Sequence, residues 1–233
     1  MVFVVNTDND PWDIYCNSPP EFIQHAENVG MYSKYLYQIA LHSGLFDGGL
    51  SEMQLLHIQN AVIYHDIGKS VYEPAFLHQS CRFNSLERKF MSWHVEFGLM
   101  LFQKTMELKH STPDTQIFLH TVYDSIAHHH EWFNGAGYPK GLRSTQISPV
   151  GQICAICDCY DALRSRRSYH KAMTHARTIE KIFAERGTHF NPQLVDLLMD
   201  HEQAFKQLKR WEEKDTQQHN PPRTAFIQHI VNN

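Results

Sequence analysis

Apolar residues recur at three- and four-residue spacing through most of the chain, the signature of helices with one buried face. Phe22, Ala26, Val29, Tyr32, Leu36 and Ile39 form one such stripe, opening at Glu21 after Ser18-Pro19-Pro20 and stopped by Gly44. Ser51-Glu52-Met53-Gln54 has the form of a capping box and predicts a helix to about His65. Asn84 with Glu87 predicts a third helix, through Trp93, His94 and Phe97 to about Leu108. Thr112-Pro113 and Ser148-Pro149 each place a capping side chain before a first-turn proline, predicting helices to about His130 and about Leu163. Two more are predicted from Thr174 to Glu185 and from Asn191-Pro192 to about Trp211. Between them, Gly135, Gly137, Pro139 and Gly141 mark residues 131–148 as a loop. No alternating strand pattern and no internal repeat is visible. The expectation is an all-α protein: a single helical bundle of about seven helices over residues 20–213, with a short extension at 1–19 and a polar tail at 214–233.

Composition narrows the class. A chain of 233 residues is long enough to bury a core without disulfides. Lys and Arg number 21 against 25 Asp and Glu, so no basic excess marks a nucleic-acid binder. No apolar run approaches the roughly 18 residues of a membrane span, and the apolar start MVFVV has no basic flank, so neither a membrane segment nor a signal peptide is expected. Cys16, Cys81, Cys154, Cys157 and Cys159 form an odd, clustered set that fits free thiols in a reducing cytoplasm. The 17 histidines are more telling, because imidazole is the commonest metal ligand among side chains.

Their positions carry the chemistry. Glu21 and His25 stand four apart, on one helical face. His65-Asp66 end a helix just before Ile67-Gly68-Lys69, His94 lies in the third predicted helix, His129-His130-Glu131 close the fourth, and Asp158 lies on the fifth. Each taken alone fits a solvated face, a core histidine or a cap. Together, carboxylates and imidazoles suit Mn, Fe, Co or Zn, and one bridging aspartate can hold two ions. A pair of ions about 3.5–4 Å apart activates a phosphoryl group and a hydroxide. Lys69 adds a point cation for phosphate.

The order and spacing of these motifs resemble the HD-GYP branch of the HD-domain metal-dependent phosphohydrolases. His65-Asp66-Ile67-Gly68-Lys69 matches the HD motif. His129 to Pro139 matches the HHExxDGxGYP signature, with Asn134 in place of Asp. Asp158-Cys159-Tyr160-Asp161-Ala162-Leu163 followed by Arg167-Ser168-Tyr169 looks like DxxDAL…RPY, and His94 to Gly98 and Phe190-Asn191-Pro192 correspond to HPxxG and FDP. The resemblance runs from about residue 20 to about residue 200.

That resemblance implies a helical phosphodiesterase that hydrolyses cyclic di-GMP to pGpG or GMP. The implied step is in-line attack of a metal-bridging hydroxide on phosphorus, with the ribose 3′ oxygen leaving. By motif, the metal ligands are His65, Asp66, His94, His129, His130 and Asp158, with Asp66 bridging. His25 and Glu21 match the opening-helix residues of members that hold three ions rather than two; iron or manganese is the expected metal. Asp66 and Lys69 are the implied catalytic pair. Lys69, Arg167, Gly137, Tyr138 and His170 are implied substrate contacts, although His170 stands where a basic residue is usual. The GYP loop is associated with docking to diguanylate cyclase (GGDEF) domains. Two other readings stay open: hydrolysis of another nucleotide such as cyclic GMP-AMP, and a catalytically weak nucleotide receptor or scaffold. Cys154 and Cys157 read as buried thiols, and Asp161 as a structural contact near its helix end.

Overall fold

A computed structural model describes residues 10–77, 83–106, 112–165 and 171–215. Among them the chain is all-α, with no strand and a single isolated bridge between Arg186 and Phe190. Helix α1 is Pro11–Cys16, α2 Pro20–His42 and α3 Glu52–Val62, followed by a 3-10 segment, Ile67–Val71. Then come α4 Pro74–Leu77, α5 Ser85–Ser92, α6 His94–Met106 and α7 Pro113–His128. After the glycine-rich loop and a 3-10 turn at Ser144–Gln146 follow α8 Pro149–Arg164, α9 His175–Ala184, α10 Pro192–Asp200 and α11 Glu202–Asp215. No helix among these is long and apolar enough to cross a membrane.

The expected caps form. Asn84 and Glu87 close a reciprocal capping box at α5, at 3.0 and 2.7 Å. Thr112 and Ser148 accept the N–H groups of Thr115 and Gly151 at the starts of α7 and α8. At α3 only half the box appears: Ser51 accepts the Gln54 N–H, while the Gln54 side chain turns to the Tyr37 hydroxyl, 2.9 Å away.

Four boundaries differ from the sequence expectation. Residues 11–16, read as part of an extension, form α1, and its Tyr15 is buried against Tyr64. Helix α3 stops at Val62, so His65 and Asp66 sit in the turn that leads into the 3-10 segment. The third predicted helix is interrupted at Trp93, which makes His94 the first residue of a new helix. The last one breaks at His201 (φ −115°). The segment 166–170 and the tail beyond 215 lie outside the described residues.

Two apolar clusters hold the bundle. One joins α2, α8, α10 and α11 through Val29, Leu36, Ile153, Ile156, Leu194 and Phe205, all fully buried, and it takes in Cys154 and Cys157. The other joins α1, α3, α6 and α7 through Tyr15, Ala61, Phe102, Phe118, Val122 and Ile126, and takes in Tyr64 just after α3. The histidines and aspartates singled out above come from elements of both clusters. One close approach decides how they meet. A Cβ on Gly68 would fall 1.9 Å from the His94 carbonyl oxygen and 2.5 Å from the Gly98 nitrogen. Only glycine lets the 3-10 segment lie against α6, and this brings Asp66 to His94.

Candidate metal centre

Asp66 is the hub. Its Oδ1 lies 3.3 Å from His94 Nε2 and 3.7 Å from His129 Nε2. Its Oδ2 lies 3.4 Å from His65 Nε2, 3.8 Å from His25 Nε2, and pairs with Lys69 Nζ. Two sets of ligand atoms, each mutually within 4.8 Å, share this carboxylate: Asp66 with His94, His129 and His130, and Asp66 with His25 and His65. Asp158 flanks the second set, with Oδ1 3.1 Å from His25 Nε2 and 4.0 Å from His65 Nε2.

The ring orientations follow from hydrogen bonds on the far side. His65, His94 and His129 direct Nδ1 to the main-chain carbonyls of Val62 (2.9 Å), Met91 (2.7 Å) and Ser125 (2.8 Å). A carbonyl only accepts, so Nδ1 carries a hydrogen, and in the neutral ring, the form that binds a metal, Nε2 carries the lone pair. Hence in that form the Nε2 atoms of His94 and His129, 3.4 Å apart, present lone pairs to each other and to Asp66 Oδ1. Such an arrangement is repulsive without a cation between them. His65 Nε2 and Asp66 Oδ1 are likewise buried with no hydrogen-bond partner. Buried polar atoms are rarely left so, and imidazole with carboxylate is a donor set for first-row divalent ions. The residues fit a metal centre with two adjoining positions.

Electrostatics agree with the geometry. Burial alone would raise the carboxyl of Asp66, but Lys69 and His65 outweigh it and hold it well below the usual range, ionised. Asp158 is held low in the same way, burial being outweighed by His25. Burial lowers His94, and lowers His130 further with His129 and His94 beside it, so both stay neutral. His25 behaves differently. Burial opposes its charge, yet the carboxylates of Asp158 and Asp161 push it up to about 9.

The glycine-rich loop is stapled beside the cluster by Glu131. This carboxylate is 2 % exposed and turned away from the ligand atoms: its two oxygens accept the N–H groups of Lys140 and Leu142 at 2.7 and 2.8 Å. Tyr138 stacks on the His130 ring at 4.6 Å and donates its N–H to the His130 carbonyl. A Cβ on Gly137 would meet Trp132 N at 2.3 Å and His130 O at 2.4 Å. Asn134 Oδ1 accepts the Ala136 N–H at 2.9 Å, a turn contact that aspartate makes equally well. The departure from the sequence signature at this position therefore leaves the loop intact.

The family model of the HD domain matches residues 12–194. The chain belongs to the HD domain family. Within it, the run from His129 to Pro139 carries the HD-GYP signature. The chain is 31 % identical over 181 residues, 78 % of its length, to the 3′3′-cGAMP-specific phosphodiesterase 2 of Vibrio cholerae, covering 31 % of that protein. It is 26 % identical over 86 % of its length to the cyclic di-GMP phosphodiesterase of Thermotoga maritima, covering 50 % of that protein. The chain thus spans about a third to a half of the curated relatives it matches. A crystal structure of a cyclic GMP-AMP-specific phosphodiesterase of V. cholerae aligns with a TM-score of 0.55 at 17 % identity, over 98 % of this chain and 57 % of that one, a likeness of fold.

Most of the residues singled out in the HD-domain sequence converge. His25, His65, Asp66, His94, His129, His130 and Asp158 meet at one place, and Lys69 borders it. Glu21 sits in the first turn of α2, one turn before His25, exposed and outside both ligand sets. Arg167 and His170 lie outside the described residues. A cavity of about 220 Å³ opens beside Asp66 and Lys69, walled by Ser18, Phe22 and Tyr72 among others. The larger recess, about 780 Å³ between Phe46, Phe133 and Asn191, touches none of the ligand residues. Two residues contact the cluster or its loop without having a site role from sequence: Glu131, which accepts two loop N–H groups, and Asp161, which accepts from His25 Nδ1. The i, i+3 spacing of Asp158 and Asp161 on one helix face was the available signal for the second.

Proposed function

We propose that this chain is a metal-dependent phosphodiesterase that opens a phosphodiester of a cyclic dinucleotide, cyclic di-GMP foremost, giving pGpG or GMP. The observation that carries the reading is the sharing of one buried aspartate, Asp66, by two sets of histidines whose ring nitrogens converge on it. His94, His129 and His130 would hold one ion and His25, His65 and Asp158 the other, with Asp66 common to both sets. Glu21 is the added ligand for a third ion. Iron or manganese is the proposed metal, as the resemblance to the HD-GYP branch implies. When bound, the ions supply Lewis-acid polarisation of the phosphoryl oxygens and lower the pKa of water.

The chain's own groups do the rest. The carbonyl-held rings of His65, His94 and His129 need no reorganisation on binding. Lys69, beside Asp66 and at the cavity, meets charge on a non-bridging phosphate oxygen. Arg167 takes the second phosphate, with His170 near it. Tyr138 and Gly137 border the substrate on the loop side. Residues 20–213 are the catalytic domain, the GYP loop offers a surface for a diguanylate cyclase partner, and the setting is the cytoplasm.

A second reading, cyclic GMP-AMP as substrate, is favoured by the 31 % identity to a cGAMP-specific relative. A substrate panel on anaerobically purified protein tests both. Turnover of cyclic di-GMP at least ten times faster than of 3′3′-cGAMP supports the first, and the reverse order supports the second. Full metal loading with turnover of neither overturns the enzyme reading in favour of a receptor.

A further inference from the structure

We propose that Asp161 is the positioning residue of the His25 metal position, fixing the ring as the tautomer that presents Nε2 to the cation. The proposal rests on the reading of the cluster as a metal centre. His65, His94 and His129 are oriented locally, each by a main-chain carbonyl three or four residues earlier. His25 is oriented across the bundle. Its Nδ1 donates to Asp161 Oδ2 at 2.7 Å, a carboxylate 136 residues later on α8.

Asp161 is built for holding. It is 0 % exposed. Its Oδ1 accepts the Asn28 amide at 2.8 Å, and its Oδ2 also accepts the Ser165 hydroxyl at 3.2 Å, so the carboxylate is gripped from α2 and from the end of α8. An ionised carboxylate only accepts, which places the His25 hydrogen on Nδ1. Nε2 is then left facing Asp158 Oδ1 at 3.1 Å and Asp66 Oδ2 at 3.8 Å. Asp161 belongs to neither set of ligand atoms. It acts through the ring, and a carboxylate behind an imidazole makes the opposite nitrogen a stronger donor than a carbonyl does. One helix face thus supplies a ligand, Asp158, and the group that aims its neighbour.

Manganese titration of the full chain, followed by electron paramagnetic resonance of free and exchange-coupled Mn²⁺, tests this without a substrate. Asp161→Asn keeps the shape, but its amide donates to Nδ1 and shifts the ring hydrogen to Nε2. The expected result is one Mn²⁺ position weakened about 10–100-fold, the other unchanged, and a coupled signal that returns only at high Mn²⁺. Asp161→Asn with two wild-type affinities, or with equal loss at both positions, overturns the proposal. Should Asp161→Asn fail to fold, long-range ¹H–¹⁵N spectra of the Zn-loaded wild type decide. A hydrogen on His25 Nδ1 supports the role, and ligation through Nδ1 contradicts it. A wild type that binds no Mn²⁺ overturns the metal reading itself, and this proposal with it.

Discussion

The two sides of Asp66 are held by different means. On the α6–α7 side, His94 and His129 lean on carbonyls of their own chain neighbourhood, at sequence separations of three and four. On the α2 side, His25 depends on a buried carboxylate brought by another helix. The first arrangement needs only the local helix ends to form. The second needs α2 and α8 to pack correctly. It follows that the His94 and His129 rings are aimed as soon as their local helix ends form, whereas the His25 ring is aimed only once α2 and α8 have packed.

The sharpest way to erase the difference is to remove what both sides share. Asp66→Ala takes away the bridge and leaves the histidines without their common anion, so both ions are lost together. Turnover is expected to fall by more than about 1,000-fold, of the order of 4 kcal/mol or more in barrier. Steady-state kinetics with plasma mass spectrometry on the same sample checks this, and a variant that retains one tightly bound ion breaks the shared-bridge account.

Gly68→Ala tests the packing between the sides. The added methyl collides with the His94 carbonyl and the backbone nitrogen of Gly98, neither of which belongs to a flexible side chain. Expected is a loss of about 1–3 kcal/mol of stability, typical of overpacking, with weaker metal binding on the His94 side. Denaturant unfolding measured with and without metal reads both.

The two sides also differ in protons. His94 and His130 are held neutral by burial, so an ion enters there without displacing a proton from either. His25, pushed up to about 9, carries a proton at neutral pH in the metal-free protein. Its folded value lies above the unfolded one. That charge therefore stabilises the metal-free fold fully below about pH 6.5 and ceases to do so as pH rises through about 9. Metal must displace the same proton, so affinity at the His25 position rises about tenfold per pH unit up to about pH 9 and then levels. The α6–α7 position shows a shallower dependence. Calorimetry in two buffers of different ionisation enthalpy counts the protons released.

The smallest expected effect lies in the loop. Glu131→Gln replaces a carboxylate that accepts two main-chain N–H groups with an amide that accepts at one oxygen only. The loop should loosen by about 1–3 kcal/mol, raising KM for the cyclic dinucleotide while metal content stays at the wild-type level. A matching drop in metal content would make Glu131 part of the ion-binding set rather than a staple.

How much of this was legible in the sequence follows the same division. The caps at Asn84, Thr112 and Ser148 are local chemistry, and they stand where the residues predict them. The convergence of His65, Asp66, His94, His129, His130 and Asp158 follows motifs that carry chemistry at fixed spacing. The break at Trp93 was not legible, because it occurs without glycine or proline and with near-helical backbone (φ −70°, ψ −8°). Gly68 reads from sequence as a turn glycine. Its actual task, clearance for α6, is a contact between segments that no local rule encodes. Asp161 was read as a structural contact for the same reason: its partner in orienting a ligand lies 136 positions away.

The central claim is that Asp66 joins two ions for phosphodiester cleavage. Metal content per chain, measured on anaerobically purified protein alongside cyclic di-GMP turnover, tests it most directly. Two to three iron or manganese ions per chain, with conversion to pGpG or GMP, is the predicted result. A chain that holds no metal, or that turns over the substrate equally well after the metal is stripped, would contradict it.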